Sequence, residues 1–176
     1  MNNRFWNFRT YYFLFLPIIL SSCAGTINTV KQTTGTPQYK KAYVVSAENS
    51  NYIKFKFGAI TPYGYIVLPD DPSQRHEVIG NTDIVIKKEL EKYGIHSVIG
   101  KKDDIPNDFD LIVLYADTWR WDMKKVLDKL EIVFISPDGN RELARSTYNI
   151  YKNKEFHNFP SPEKEVPKMV KELLGK

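Results

Sequence analysis

The side chains of this chain that could do chemistry are few: one cysteine, three histidines, a cluster of aspartates and one aromatic stretch. Cys23 is the only thiol, so neither a disulfide nor a cysteine–histidine pair of the hydrolytic kind can be built around a second cysteine. His76, His96 and His157 are far apart, and none has a second ligand at helical or hairpin spacing, so a zinc site is not expected. Asp103, Asp104, Asp108 and Asp110 could attract calcium, but they lack the alternating ligands and central glycine of an EF-hand loop, and a solvated loop is the expectation. G-x-S-x-G, S-x-x-K and glycine-rich phosphate loops are absent, and carboxylate pairs of the glycosidase kind cannot be recognised without geometry. The composition therefore predicts no cofactor and no catalytic residue.

Cys23 has a more specific context. Arg4 and Arg9 precede an apolar run from Tyr11 to Leu20, and Leu20-Ser21-Ser22-Cys23 follows. A basic head, a short apolar core and a small-residue exit make a secretory signal. The run falls short of the roughly 20 residues that span a bilayer, and Pro17 interrupts it. The exit resembles the lipobox of bacterial lipoproteins. That resemblance implies a diacylglyceryl group on the Cys23 sulfur, cleavage before Cys23 and acylation of the new amino terminus. Three acyl chains exceed the two signals that stable anchoring needs. Ala24, where the resemblance would make an aspartate an inner-membrane retention signal, implies an outer-membrane, periplasm-facing protein. Removing residues 1–22 leaves about 150 residues, one domain's worth. It also lowers the formal charge from +4 by the two units of Arg4 and Arg9. The remaining +2 has no basic stripe and argues against nucleic acid.

The remaining chemical feature is Tyr115-Ala116-Asp117-Thr118-Trp119-Arg120-Trp121-Asp122-Met123. On a strand, alternation puts Tyr115, Asp117, Trp119 and Trp121 on one face and Thr118, Arg120 and Asp122 on the other. Two readings stay open. The rings roof the sheet or pack beneath a helix end, or they form a recognition face, with Arg120 adding polar contacts, for a protein partner or a glycan.

The elements that must hold this stretch are legible in outline. Residues 24–38 show no apolar period and read as a flexible tether, with a typical span near 20 Å. The single domain is expected to occupy 39–176. KAYVVSA and the alternating NYIKFKF read as strands, and the excursion from Gly58 to Pro72 as loop around a short strand, YIVL. Asn81 or Asp83 can cap a helix carrying Ile86, Leu90 and Tyr93, ended by Gly94. HSVIG, a long strand through Tyr115 to Met123, and a hairpin about Ser136-Pro137-Asp138-Gly139-Asn140 follow. Ser161-Pro162 starts a last helix whose regular part is expected only from Pro167. This order predicts an α/β (α+β) two-layer sandwich, a mixed β-sheet with both helices on one face.

On Cys23, Gly94, Tyr115, Asp117, Trp119, Trp121, Asp122 and Met123, the chain resembles small Gram-negative envelope lipoproteins of unknown function. In element order it is also similar to envelope lipoproteins that assist transport machines and to the amino-terminal domain of TolB. The resemblance covers roughly Gly80 to the C-terminus; the excursion before it departs from the pattern. It implies a domain that acts by protein contact, and it lends no catalytic residues. The expectation is a non-enzymatic, lipid-anchored envelope protein with an envelope protein partner. A small-molecule or glycan binder using Trp119 and Trp121 is the alternative, and a hydrolase with unrecognised carboxylates is the third reading.

Overall fold

The computed structural model describes residues 25–32, 38–48, 50–53, 56–61, 64–68, 78–122, 124–150 and 159–176. Cys23, His76 and His157 lie outside them. The element order is β1 (Gly25–Lys31), β2 (Lys41–Val45), β3 (Asn51–Ile53), β4 (Lys56–Thr61), β5 (Gly64–Leu68), α1 (Thr82–Lys92) and β6 (His96–Gly100). A short 3-10 turn (Lys102–Asp104), β7 (Leu111–Asp122), β8 (Lys124–Ile135), β9 (Glu142–Ile150) and α2 (Pro162–Leu174) complete it.

Seven strands form one mixed sheet in the order β1-β9-β8-β7-β2-β6, with β3 also on β7. β6, β2 and β7 run parallel, whereas β7, β8, β9 and β1 form an antiparallel meander. Both helices lie on one face, and their apolar residues share one core with the sheet. The expected α+β two-layer sandwich is the architecture found. β4 and β5 pair as a separate antiparallel hairpin, so the excursion read as loop is mostly strand.

The tether is the main correction. Residues 25–31 are not a linker: they pair in register with β9 along their whole length, from Gly25 against Ile150 to Lys31 against Ala144. Thr29 Oγ1 donates to Glu172 Oε2 on α2 at 2.6 Å and lies 2.8 Å from Ser146 Oγ across that seam. The polar sequence GTINTVK suits an edge, where each residue must satisfy one ladder and only Ile27 reaches the core. The sheet of the domain therefore includes Gly25–Lys31, ahead of the boundary expected at residue 39. The other correction concerns α2, which is helical from Pro162 and carries Pro167 inside it. The ring removes one backbone donor. Burial of Val166, Met169, Val170, Leu173 and Leu174 on a single stripe holds the turn before it nonetheless.

α1 begins after Asn81, whose side chain makes no capping bond, and ends where Gly94 takes φ 78°. Ile86 and Leu90, the residues expected to face inward, are fully buried. In the meander, a bulge sets the register. Thr118 faces Lys129 but Trp119 faces Leu127, so Asp128 is the extra residue on β8. The extra residue shifts the alternation by one. Leu127 then shares the core face with Leu130, Ile132 and Phe134, all at 0% exposure. An unbulged strand would have turned Leu127 to the other face.

Candidate functional site

β2 and β3 lie along the same edge of β7 and run parallel to it, β2 against 111–113 and β3 against 118–120. Between them the chain leaves the ladder, opposite the part of β7 that carries Tyr115 and Asp117. This gap is where the structure brings polar side chains together. The start of α1 sits over it. Thr82 Oγ1 donates to Asp117 Oδ2 at 3.0 Å, and Ser46 Oγ donates to Asp83 Oδ2 at 3.0 Å. The Ala47 N–H donates to Tyr115 Oη at 3.2 Å, and the Ile79 N–H to Ser50 Oγ at 2.9 Å. The gap in the sheet is thus stitched to the first turn of the helix.

Burial among these groups pushes the Tyr115 hydroxyl up to about 12. It stays protonated at any physiological pH, which makes it a positioning group rather than a proton carrier. Asp117 is 2% exposed and Trp119 is 5% exposed. A Cβ on Gly80, which has φ 83°, would lie 2.9 Å from the Trp119 ring, so the glycine before α1 closes directly over the indole. Only glycine tolerates both that backbone and that contact. Among the described residues, Asp117 Oδ1 and Trp119 Nε1 are buried without a hydrogen-bond partner. Groups left in that state each cost roughly 1–3 kcal/mol.

Of the five candidate binding residues, alternation put Tyr115, Asp117, Trp119 and Trp121 on one face, with Arg120 adding contacts from the other. Tyr115, Asp117 and Trp119 do share the helix-covered face, as alternation required, but they lie inside the domain beneath α1. Trp119 is a packed ring, not an exposed one. Arg120 Nε is 3.5 Å from Oδ1 of Asp128, the bulge residue. Trp121 is paired through its backbone to Lys125, and its side chain lies outside the described part.

The aspartate cluster is dispersed into structural roles. Asp110 Oδ2 accepts the N–H groups of Lys40 and Lys41 at 2.9 and 3.0 Å and pins the entry of β2. Asp108 pairs with Lys41 Nζ at 2.8 Å, and the lysine holds its carboxyl below the usual range. Asp103 and Asp104 belong to the 3-10 turn. Among the described residues, no three His, Cys, Asp or Glu side chains converge as a metal site would require. Ser46, Ser50 and Thr82 were not anticipated. No spacing in the sequence connects them to Asp117; only the parallel docking of two short strands on one long one does. The cluster's hydroxyl–carboxylate pairs can hold a helix to a sheet.

No family model matches the chain, and no curated protein matches it. Among solved structures it is similar to the PelC dodecamer from Paraburkholderia phytofirmans, at 10% identity and a TM-score of 0.46, covering 85% of this chain and 94% of that one. A PelC variant from the same organism, also a dodecamer, matches at 12% identity and a TM-score of 0.46, covering 85% of this chain and 95% of that one. At this level the chain is similar to them in backbone outline alone.

Proposed function

We propose that this chain is a non-enzymatic, lipid-anchored protein of the cell envelope, facing the periplasm from the outer membrane, that binds another envelope component. The observation that carries the reading is the register of Arg4, Arg9, the apolar run and Leu20-Ser21-Ser22-Cys23. No helix among the described residues is long and apolar enough to cross a membrane, so no second span competes with that anchor there. The polar gap beneath α1 supports a packing role: Asp117 Oδ2, Asp83 Oδ2 and the hydroxyls of Ser46, Ser50, Thr82 and Tyr115 bond to one another or to backbone donors.

The partner contact cannot use the Trp119 ring, which Gly80 covers. Position 121, next to the last residue of β7, is the remaining member of the aromatic pair. Replacing Cys23 by alanine should abolish incorporation of labelled palmitate and leave an uncut or mislocalised chain. Equal incorporation into variant and wild type would refute the anchor. A photocrosslinking amino acid at position 121, used in intact cells, should capture a specific envelope component; crosslinks to bulk protein alone would count against partner binding.

A further inference from the structure

The start of β1 limits how far the domain can stand from whatever holds Cys23. Gly25 is already paired to Ile150. Two residue steps separate it from the cysteine, and an extended chain covers about 7 Å over that distance. The sheet, however, continues past the level of Gly25. Lys129 pairs with Asn149, which places Asp128 level with Ile150 and hence with Gly25. β8 begins four positions farther out, at Lys124. Asp128 is the bulge residue, so β8 advances about three strand steps over those positions, and at about 3.3 Å per step the β7–β8 tip projects ~10 Å beyond Gly25. It projects to the same side as Cys23, because β1 enters the sheet at the end where β7 turns into β8. β8 is the second strand over from β1, so the tip stands roughly 10 Å to one side of the anchor.

The geometry points to the β7–β8 tip, through Lys124 and Lys125, as a second membrane contact that reaches anionic phospholipid headgroups when Cys23 is acylated. The inference rests on the lipid anchor proposed above. Acyl chains in the hydrocarbon hold the Cys23 backbone at the bilayer surface, under a headgroup zone of roughly 5–8 Å per leaflet. A domain on a leash of about 7 Å, with a spur of about 10 Å on the same side, cannot stand upright without the spur entering that zone. Lys124 and Lys125 are both exposed, and Lys124 Nζ lies 4.0 Å from the centre of the Phe159 ring. Asp122 shares the turn and offsets one of the two charges. Basic side chains at that depth are attracted by anionic lipid within a Debye length. The opposite end of β8 carries the Ser136–Asn140 turn, about 40 Å away along a strand of 12 residues.

The test uses the full chain purified from membranes of expressing cells, with Lys125→Cys or Asn140→Cys carrying a thiol-reactive fluorophore. The sample is placed in phosphatidylethanolamine–phosphatidylglycerol vesicles containing headgroup spin-labelled lipid. An acylated Cys23 has a thioether sulfur and takes no label. Quenching should be several-fold stronger at position 125 than at 140, and weaker when phosphatidylcholine replaces phosphatidylglycerol. Lys124→Cys provides the same reading if Lys125→Cys does not fold. Equal quenching at the two ends, or stronger quenching at 140, overturns the inference; quenching indifferent to phosphatidylglycerol overturns the role of the lysines. Protection of position 125 in intact cells without quenching in vesicles also overturns it and assigns the tip to a protein. The mass of the N-terminal peptide separates the failures. An acylated Cys23 with no difference between the ends sinks this orientation alone, and an unmodified Cys23 sinks the anchor and the orientation together.

Discussion

The two faces of β7 differ in what covers them more than in what they are made of. On one face Leu111, Val113, Tyr115, Asp117 and Trp119 lie beneath helices, and cover is deep enough to exclude water even from a carboxylate. On the other, Ile112 joins Tyr43 and Val45 in a small cluster with Ile105 and Phe109, which come from the loop that follows β6. Tyr43 and Phe109 meet edge to face at 5.3 Å, and the Tyr43 hydroxyl donates to the Lys101 carbonyl at 3.0 Å. Farther along the strand, Thr118 and Arg120 are both partly exposed. Alternation decides which side a residue takes; a helix or a loop decides how much that placement is worth.

The widest test of the contrast is Trp119→Ala. With the ring sealed under Gly80 and α1, the change should cost about 3–5 kcal/mol, the range for large aromatic truncations in a core. Urea unfolding of the purified protein measures it. A loss below about 1 kcal/mol would show that the start of α1 does not seal the ring and would return Trp119 to the surface.

Adjacent residues on the same strand make a finer test. Leu111→Ala empties a site walled by rigid elements, and Ile112→Ala empties one roofed by a loop that can settle into the space. Both should destabilise within the roughly 2–5 kcal/mol span of such changes, with Leu111→Ala the costlier by about 1 kcal/mol. Equal costs would mean that the loop is as unyielding a cover as the helices.

The smallest effect belongs to the solvent-facing side of β9. Arg145 Nε donates to Glu142 Oε1 at 3.0 Å, and this holds the Glu142 carboxyl below its ordinary 4.5. A depressed folded pKa adds stability that is complete above 4.5 and fades as the pH falls through the lower folded value. Glu142→Gln should therefore lower stability at neutral pH by no more than a few tenths of a kcal/mol, because the pair is screened by water. The difference from wild type should close in acid. A gap that persists at pH 2 would trace the effect to packing instead of charge.

Legibility followed the distance over which each signal acts. α1 was readable from Ile86, Leu90 and Gly94, and the β8–β9 hairpin from Pro137-Asp138-Gly139, because caps, stripes and turns are local. β7 showed its length and faces through alternation. β1 was not readable: GTINTVK buries almost nothing, and its reason for being a strand is the open edge of β9, far away in sequence. The candidate site failed in the same way. Trp119 was placed on the right face, yet its cover comes from Gly80, and the link from Thr82 to Asp117 exists only once α1 is docked. Pro167 misled in the other direction. A local penalty was visible, whereas the buried stripe of α2 that outweighs it depends on the sheet.

The pairing of β1 also has a consequence in time. In Thr29 and Ser146, bonded partners are 117 residues apart. The strand nearest the N-terminus emerges early from any machine that threads the chain in order, and its mate comes nearly last. Closing so large a loop is slow, because its entropy is lost before the contacts repay it. Until β9 arrives, the first strand must wait unpaired, and the edge it will cover stays absent. The β7–β8 hairpin can form from its local turn while the chain is still arriving, so the oldest strand is among the last to be built into the sheet.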